Sequence, residues 1–408
     1  MRIWYLSKYA QRPLFGTPTR QYFYSKYFAK KGFDVTLVSS RSNGNKSFPR
    51  IGYKNMRMDK YERVKLILLN GSIINLGFNY KRIISWVLFE LRVLYWGIFQ
   101  SKEKPDVVIA SSLSLLTFIS GVFFKKYYKC KLICEVRDIW PLTVVETKKL
   151  SKKNLFIRFL TYVEHLGYKH ADIIVGSMGN LAEYIKSVNP DYSNKVKYIP
   201  TGFDPEFYKK DDTLLADFNK KFQQIATDNF IVGYAGSIGK ANCIDQIIDV
   251  AYLMRNDHVS FVLIGDGVLK NDYLKRIEEL NLHNIHFLGY CPKKTLPFIL
   301  NKCDILINPW LSGVNIYKYG LSPNKWIDYM YSGRPIIVSV DGYQNIINEA
   351  ECGMFVKAGD IKAIVDAINY YRGLSKIQLD EIGQNGKNYL LNNLTYSELA
   401  KKYLDILR

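Results

Sequence analysis

Residues 230–254 read FIVGYAGSIGKANCIDQIIDVAYLM. The opening FIVGYA is apolar or small throughout, which suits a strand buried on both faces. Gly236, Ser237 and Gly239 then break the run, and Ile244, Ile247, Ile248 and Ala251 follow at helical spacing. Buried strand, glycine turn and amphipathic helix together make one β-α unit of a parallel sheet. The unit recurs downstream in VSFVLIGDG (259–267), IHFLGY (285–290), CDILINP (303–309), RPIIVSV (334–340) and GMFVKAG (353–359). It recurs upstream in RIWYLS (2–7), a helix over Gln21–Lys31, DVTLVSS (34–40), DVVIASS (106–112), KLICEVRD (131–138), a helix over Phe156–Lys169, ADIIVGS (171–177) and VKYIPTGFD (196–204). Between the two series lies the polar stretch 205–229, a linker or helical lead-in. The expected fold is therefore α/β, with two doubly wound parallel sheets in domains 1–203 and 204–390 and a last helix over 391–408. Ligands of such sheets bind at the carboxyl ends of the strands, so a cleft between the domains is the expected site.

Charge divides the chain unequally. Residues 1–200 carry 34 basic and 13 acidic side chains, against 23 and 24 in 201–408. The excess points to an anionic partner for the first half: a membrane surface, a nucleic acid or a phosphorylated substrate. The basic residues are scattered and no nucleic-acid-binding signature is readable, so a nucleic-acid partner is not expected. A membrane surface fits better. The segment NYKRIISWVLFELRVLYWGIFQ (79–100) is rich in large apolar residues, and Glu90 and Arg92 at its middle argue against a spanning helix. It reads either as a helix lying at a bilayer interface or as a buried core helix. Residues 107–124, VVIASSLSLLTFISGVFF, carry no charge but divide into a strand and the helix after it, not a span. The N-terminus has no signal-peptide run, and six cysteines without a clustered pairing fit reduced thiols in the cytosol rather than disulfides or zinc.

Three loops carry candidate chemistry. Gly236, Ser237, Lys240 and Asn242 follow a strand and precede a helix, an arrangement that offers backbone amides and a cation to an anion. Gly265 and Gly267 in LIGDG allow close backbone approach. In YKYGLSPNKWIDYMYSGRPIIVS (317–339), a helix beginning near Asn324 presents free amides, Lys325 can neutralise phosphate, and Asp328 can accept hydrogen bonds from ribose hydroxyls.

The order GYAGSIGKAN, LIGDG, FLGY, SPNKWIDYMYSGRP and CGMFV resembles the donor half of a GT-B glycosyltransferase, specifically retaining glycosyltransferase family 4. The similarity is to its bacterial capsule, O-antigen and exopolysaccharide branch. GTPTRQYFYSKYFAKKGFDVTLVSS (16–40), EVRDIWP (135–141), ADIIVGSM (171–178) and IPTGFD (199–204) are similar to that family's N-terminal motifs. The resemblance implies that Gly16 faces the donor phosphates and acceptor, and that Gly236, Ser237, Lys240 and Asn242 face the diphosphate. Asp328 takes the ribose as the second acid of an E-x7-E motif, and Ser322, Asn324 and Lys325 surround phosphates and sugar. It also implies that the last helix crosses back to the first domain.

Two positions depart from the family pattern. Gly320 stands where the first glutamate of E-x7-E belongs, and Arg137-Asp138 replaces the usual His-Asp. If the leaving phosphate accepts the acceptor's proton, no histidine base is required. Asp138 is then the expected orienting or basic group, and Arg137 the partner of a phosphate. The alternative for both is a structural role at a strand end. Arg20 and Tyr22, with Tyr24 and Tyr27, are candidates for lining an acceptor groove. Glu164, His165 and His170 are badly spaced for a metal and read as packing or surface residues.

The expectation is thus a cytoplasmic, peripherally membrane-associated retaining transferase, metal-independent and without a cofactor. It moves a hexosyl or N-acetylhexosaminyl group from a nucleotide-diphosphate sugar, expected to be UDP-linked, to a polyprenyl-diphosphate-linked saccharide. The basic N-terminal domain meets the anionic membrane. The alternative is a non-hydrolysing nucleotide-sugar epimerase, and a third reading, from charge alone, is a non-catalytic nucleic-acid-binding protein.

Overall fold

The computed structural model describes residues 1–11, 19–40, 56–61, 63–70, 80–225, 228–344 and 346–407. The chain forms two compact units, Met1–Gly202 with Tyr396–Arg408, and Phe203–Thr395.

Unit 1 is built on strands β1 (Arg2–Leu6), β2 (Asp34–Ser40), β3 (Met56–Tyr61), β4 (Val64–Leu69), β5 (Val107–Ser111), β6 (Lys131–Val136), β7 (Ile173–Gly176) and β8 (Val196–Tyr198). Their order in the sheet is β3-β4-β2-β1-β5-β6-β7-β8. All neighbours run parallel except β3, which pairs antiparallel with β4. The helices are α1 (Arg20–Lys30), α2 (Tyr80–Tyr95) continued by a π-helical turn (Trp96–Gln100), α3 (Thr117–Tyr128), α4 (Leu142–Lys148), α5 (Leu155–His170) and α6 (Leu181–Val188). Residues 107–124 divide between β5 and α3, so this uncharged stretch is a strand and a helix. The central strands are buried on both faces: Ile3, Tyr5, Leu6, Val108, Ile109, Leu132 and Ile133 are closed to solvent.

A buried ion pair joins this sheet to α1. Glu135 accepts hydrogen bonds from the Tyr5 hydroxyl (2.8 Å) and the Ser111 hydroxyl (2.6 Å). The Arg20 guanidinium lies 3.1 Å from its other oxygen and also donates to the Ile199 carbonyl. Two further carboxylates are buried against hydroxyls. Glu90 of α2 accepts from Thr117 and Ser120 of α3, and Glu164 of α5 accepts from Tyr168 and Tyr184. Burial pushes the Glu90 carboxyl up to about 7 and the Glu164 carboxyl up to about 8. Glu164 is thus a packing residue, one of whose oxygens accepts from two phenols.

Unit 2 holds β9 (Phe230–Ala235), β10 (Val259–Ile264), β11 (Ile285–Gly289), β12 (Ile305–Pro309), β13 (Ile336–Ser339) and β14 (Gly353–Val356), in the order β11-β10-β9-β12-β13-β14. Every pairing is parallel. The helices are α7 (Asp212–Gln223), α8 (Ile244–Leu253), α9 (Lys270–Glu279), α10 (Leu296–Leu300), α11 (Asn324–Ser332), α12 (Ile346–Glu349), α13 (Ile361–Arg372) and α14 (Lys376–Asn393). Stretch 205–229 contains α7, capped by the Asp211 side chain on the Leu214 amide. The strand order reverses direction between β9 and β12, which opens a crevice at their carboxyl ends.

The last helix, α15 (Tyr396–Asp405), lies in unit 1. It lays aromatic rings on α1: Tyr396 stacks on Phe23, and Tyr403 meets Tyr24 and Phe28.

Candidate functional site

The site in unit 2 grows from the carboxyl ends of β9, β10 and β12. Gly236 follows β9 and Gly265 follows β10, and they come so close that a side chain at 265 would strike the Gly236 carbonyl. A side chain at 267 would likewise strike the Ile238 carbonyl. The Gly236 amide donates to the Ile264 carbonyl (3.0 Å), and the Ile238 amide to the Asp266 carbonyl (2.9 Å). Glycine is required here because two backbones touch, so the loops stay thin and open toward the crevice.

Helix α11 points its first turn at these loops. No side chain caps it, and its first turn holds no acid, so backbone amides and the positive end of the helix dipole face the crevice. Its position is fixed from behind. The Trp326 indole donates to Asn308 of β12 (2.8 Å), and the Tyr329 hydroxyl receives the Ala235 amide (2.8 Å) and reaches the Ala235 and Ile307 carbonyls. Both contacts tie the helix to the strands flanking the reversal point.

Lys325 projects from that first turn. Its ammonium donates to the Asn242 side-chain oxygen (3.0 Å) and the Tyr234 hydroxyl (3.3 Å), and lies over the Tyr234 ring. It also sits about one contact distance from Gly236, 3.1 Å from where a Cβ would stand. Among the described residues no carboxylate pairs with it, and burial lowers its pKa to about 8. A half-buried cation with no carboxylate partner among the described residues, beside a glycine loop and a helix N-terminus, is an arrangement that can receive a dianion.

Lys240, the other cation expected here, is exposed in the short 3-10 turn Lys240–Asn242. Ser237 and Asn324 are exposed at the rim, and Ser322 is half-buried just before α11. Asp328 lies one turn into α11, nearly closed to solvent, with Tyr208 donating to one oxygen (2.7 Å) and Lys293 to the other (2.7 Å). Each carboxylate oxygen has two acceptor positions, so one on each remains for a hydroxyl. Tyr208, Lys293 and Tyr234 are site residues that motif reading missed. The signal for Lys293 was its place in the loop after β11, a fourth strand end facing the same crevice. Beside these loops, a 460 Å³ depression is lined by Gly313, Val314, Asn315, Lys318, Asp341, Gly342 and Tyr343.

In unit 1 the predicted residues are placed differently. Gly16 lies outside the described residues. Arg20 and Tyr22 are buried within α1, and Arg20 is committed to Glu135 and Ile199. Arg137 and Asp138 sit half-buried after β6. Asp138 accepts from the Thr143 hydroxyl (2.6 Å) and the Trp140 indole (3.0 Å), so both its oxygens brace the turn into α4. The Arg137 amide donates to the Ser112 hydroxyl, and burial lowers the guanidinium's pKa.

Residues 229–371 match the family described as "Glycosyl transferases group 1". The chain is 22% identical over 303 residues to "Probable glycosyltransferase WbjE" of Pseudomonas aeruginosa, covering 72% of each. It is 22% identical over 325 residues to "Capsular polysaccharide biosynthesis glycosyltransferase CapM" of Staphylococcus aureus, covering 75% of this chain and 78% of that one. Among solved structures, Anabaena HepE in complex with UDP and glucose superposes with a TM-score of 0.67 at 14% identity, over 100% of this chain and 99% of that one. The last likeness is one of fold, the GT-B pair of parallel-sheet units. The family match favours sugar transfer over epimerisation.

Proposed function

We propose, from the premise that this chain is a GT-B glycosyltransferase, that it transfers a hexosyl or N-acetylhexosaminyl group with retention from a UDP-sugar to a polyprenyl-diphosphate-linked saccharide of a bacterial surface polysaccharide. The observation that carries the reading is Lys325, a cation with no carboxylate partner among the described residues, at the meeting point of two glycine loops and a helix N-terminus. UDP as the nucleotide is supported by the ligands of HepE, and surface polysaccharide by the name of CapM.

In this reading the Gly236 loop, the first amides of α11 and Lys325 hold the two phosphates. Asp328 accepts from the ribose, its carboxylate aimed by Tyr208 and Lys293. The charge that develops on the β-phosphate as the glycosidic bond breaks falls on groups already in place, which lowers the barrier without a metal ion. The departing phosphate oxygen takes the acceptor's proton on the face it leaves, giving retention. Arg137 and Asp138 serve the acceptor side, Arg137 with its positive charge and Asp138 through the turn it braces. Ser237, Lys240, Asn242 and Asn324 line the mouth of the donor pocket. The enzyme works in the cytoplasm at the inner face of the plasma membrane, which its basic first half contacts.

The test is a thermal-shift titration with UDP, GDP, ADP and TDP on the chain and on Lys325→Met. Saturable stabilisation by one nucleotide, lost in the variant, is expected. No shift with any of the four sinks the donor pocket.

A further inference from the structure

Helix α2 and its π-helical continuation form one rod from Tyr80 to Gln100 with two unlike faces. One is locked into unit 1. Trp86, Phe89, Val93 and Trp96 are buried, and the Trp96 ring tilts against Trp4 at 4.6 Å. Glu90 takes hydrogen bonds from two α3 hydroxyls, and Tyr128 donates to the Gly97 carbonyl (2.6 Å). Gly97 is pressed so tightly on the Phe124 ring that no side chain fits there.

The other face is bare. Tyr80, Ile84, Val87, Leu91, Tyr95 and Phe99 are 66%, 44%, 43%, 57%, 54% and 72% exposed. Their spacing of three or four residues puts them on one stripe running the length of the rod. The apolar surface carries on across the same layer: α3 packs against both α2 and α5, and Tyr127 of α3 and Leu155, Phe159 and Tyr162 of α5 are exposed too. Exposed lysines and an arginine stand among them: Lys126, Lys129, Lys152, Lys153 and Arg158.

A lone exposed leucine needs no explanation, but an aromatic and aliphatic stripe with exposed cations on the neighbouring α3 and α5 does. By length and composition this rod is the one described helix able to cross a membrane. Its clamped face, with Glu90 at the middle, holds it in the fold. A second copy of the chain would have to bring two basic faces together. We propose that this layer is a membrane-docking face on which the Tyr80–Gln100 rod lies parallel to an anionic bilayer, its stripe at the headgroup–acyl boundary and the cations on lipid phosphates. This deepens the membrane partner proposed above to a defined surface, and it stands on unit 1 alone.

Flotation with phosphatidylglycerol-containing vesicles, against pure phosphatidylcholine vesicles, tests it on the full chain. Binding to the anionic vesicles is expected, weakened at least about tenfold by Leu91→Glu/Phe99→Glu and by Lys126→Glu/Lys129→Glu. Both pairs are exposed, so melting temperatures should stay at the parent value, and if the apolar pair lowers it the lysine pair decides, its unchanged binding then overturning the proposal. Binding that the Leu91/Phe99 pair leaves unchanged overturns the proposal, as does binding to no vesicle. So does a dimer in solution that the same pair dissolves without any effect on vesicles. The nucleotide thermal shift, measured on the same proteins, keeps the donor reading apart. Vesicle binding without a nucleotide response upholds the docking face and sinks only the donor pocket.

Discussion

Replacing the ammonium of Lys325 by other groups gives a prediction whose size follows from its surroundings. In the free protein its pKa is lowered to about 8 by burial. If only the charged form holds the diphosphate, the competent fraction falls from about nine-tenths at pH 7 to about one-tenth at pH 9. UDP affinity should therefore drop about tenfold over that interval, and binding at pH 8 should take up about half a proton, since the bound anion restores the ammonium in full. The diphosphate's own last ionisation, near pH 6, is complete before this range begins. Lys325→Arg keeps its charge throughout and should flatten the profile. Lys325→Met, which removes a charge-assisted contact, should weaken UDP about 10- to 150-fold at pH 7. The assay is isothermal titration calorimetry in two buffers of different ionisation enthalpy. A profile for the parent chain that is flat from pH 7 to pH 9, or a larger loss from Lys240→Ala than from Lys325→Met, would refute the assignment of the phosphate cation.

Three more outcomes are expected. Glu164 is held protonated by burial up to about 8, above its ordinary 4.5, so the folded state binds the extra proton between those values. Stability of unit 1 should then rise as pH falls through that window, by up to about 1.4 kcal/mol per pH unit, and Glu164→Gln should flatten the slope in urea titrations. Gly265→Ala forces a side chain onto the Gly236 carbonyl; it should cost about 1–3 kcal/mol in chemical denaturation and abolish the nucleotide-induced thermal shift. Arg20→Met strands the buried Glu135 and should destabilise unit 1 by about 3–5 kcal/mol, with much of the loss recovered when Glu135→Gln is added. A double variant no more stable than Arg20→Met alone would deny the ion pair that role.

The parallel sheets were legible because their strands are continuous apolar runs, and such runs stand out without an alignment. The antiparallel pairing of β3 with β4 was not: MRMDKY and VKLILL have no shared alternation to mark it. For 79–100 the sequence left core and interface open; the helix over Tyr80–Tyr95 has a buried face that settles the core part and an exposed face on which the proposed interface rests. In unit 2 local chemistry singled out the glycines and Lys325 as phosphate candidates, and the structure brings them side by side. The partners of Asp328 were not, since Tyr208 lies 120 positions away and Lys293 lies 35 away. Arg20 shows the same limit: an arginine among tyrosines reads as a binding groove until Glu135, on a distant strand, claims it.

The placement of α15 bears on how the chain is made. Tyr396 and Tyr403 cover Phe23, Tyr24 and Phe28 of α1, and the Lys131 ammonium reaches the Leu407 carbonyl. A ribosome delivers those residues only after all of unit 2, so the unit begun first is finished last and waits with an aromatic face uncovered. Unit 2, contiguous from Phe203 to Thr395, has no such wait. Expressing residues 1–202 by themselves should yield an aggregating fragment, while 203–395 should come out soluble, and restoring residues 396–407 in trans should rescue the first.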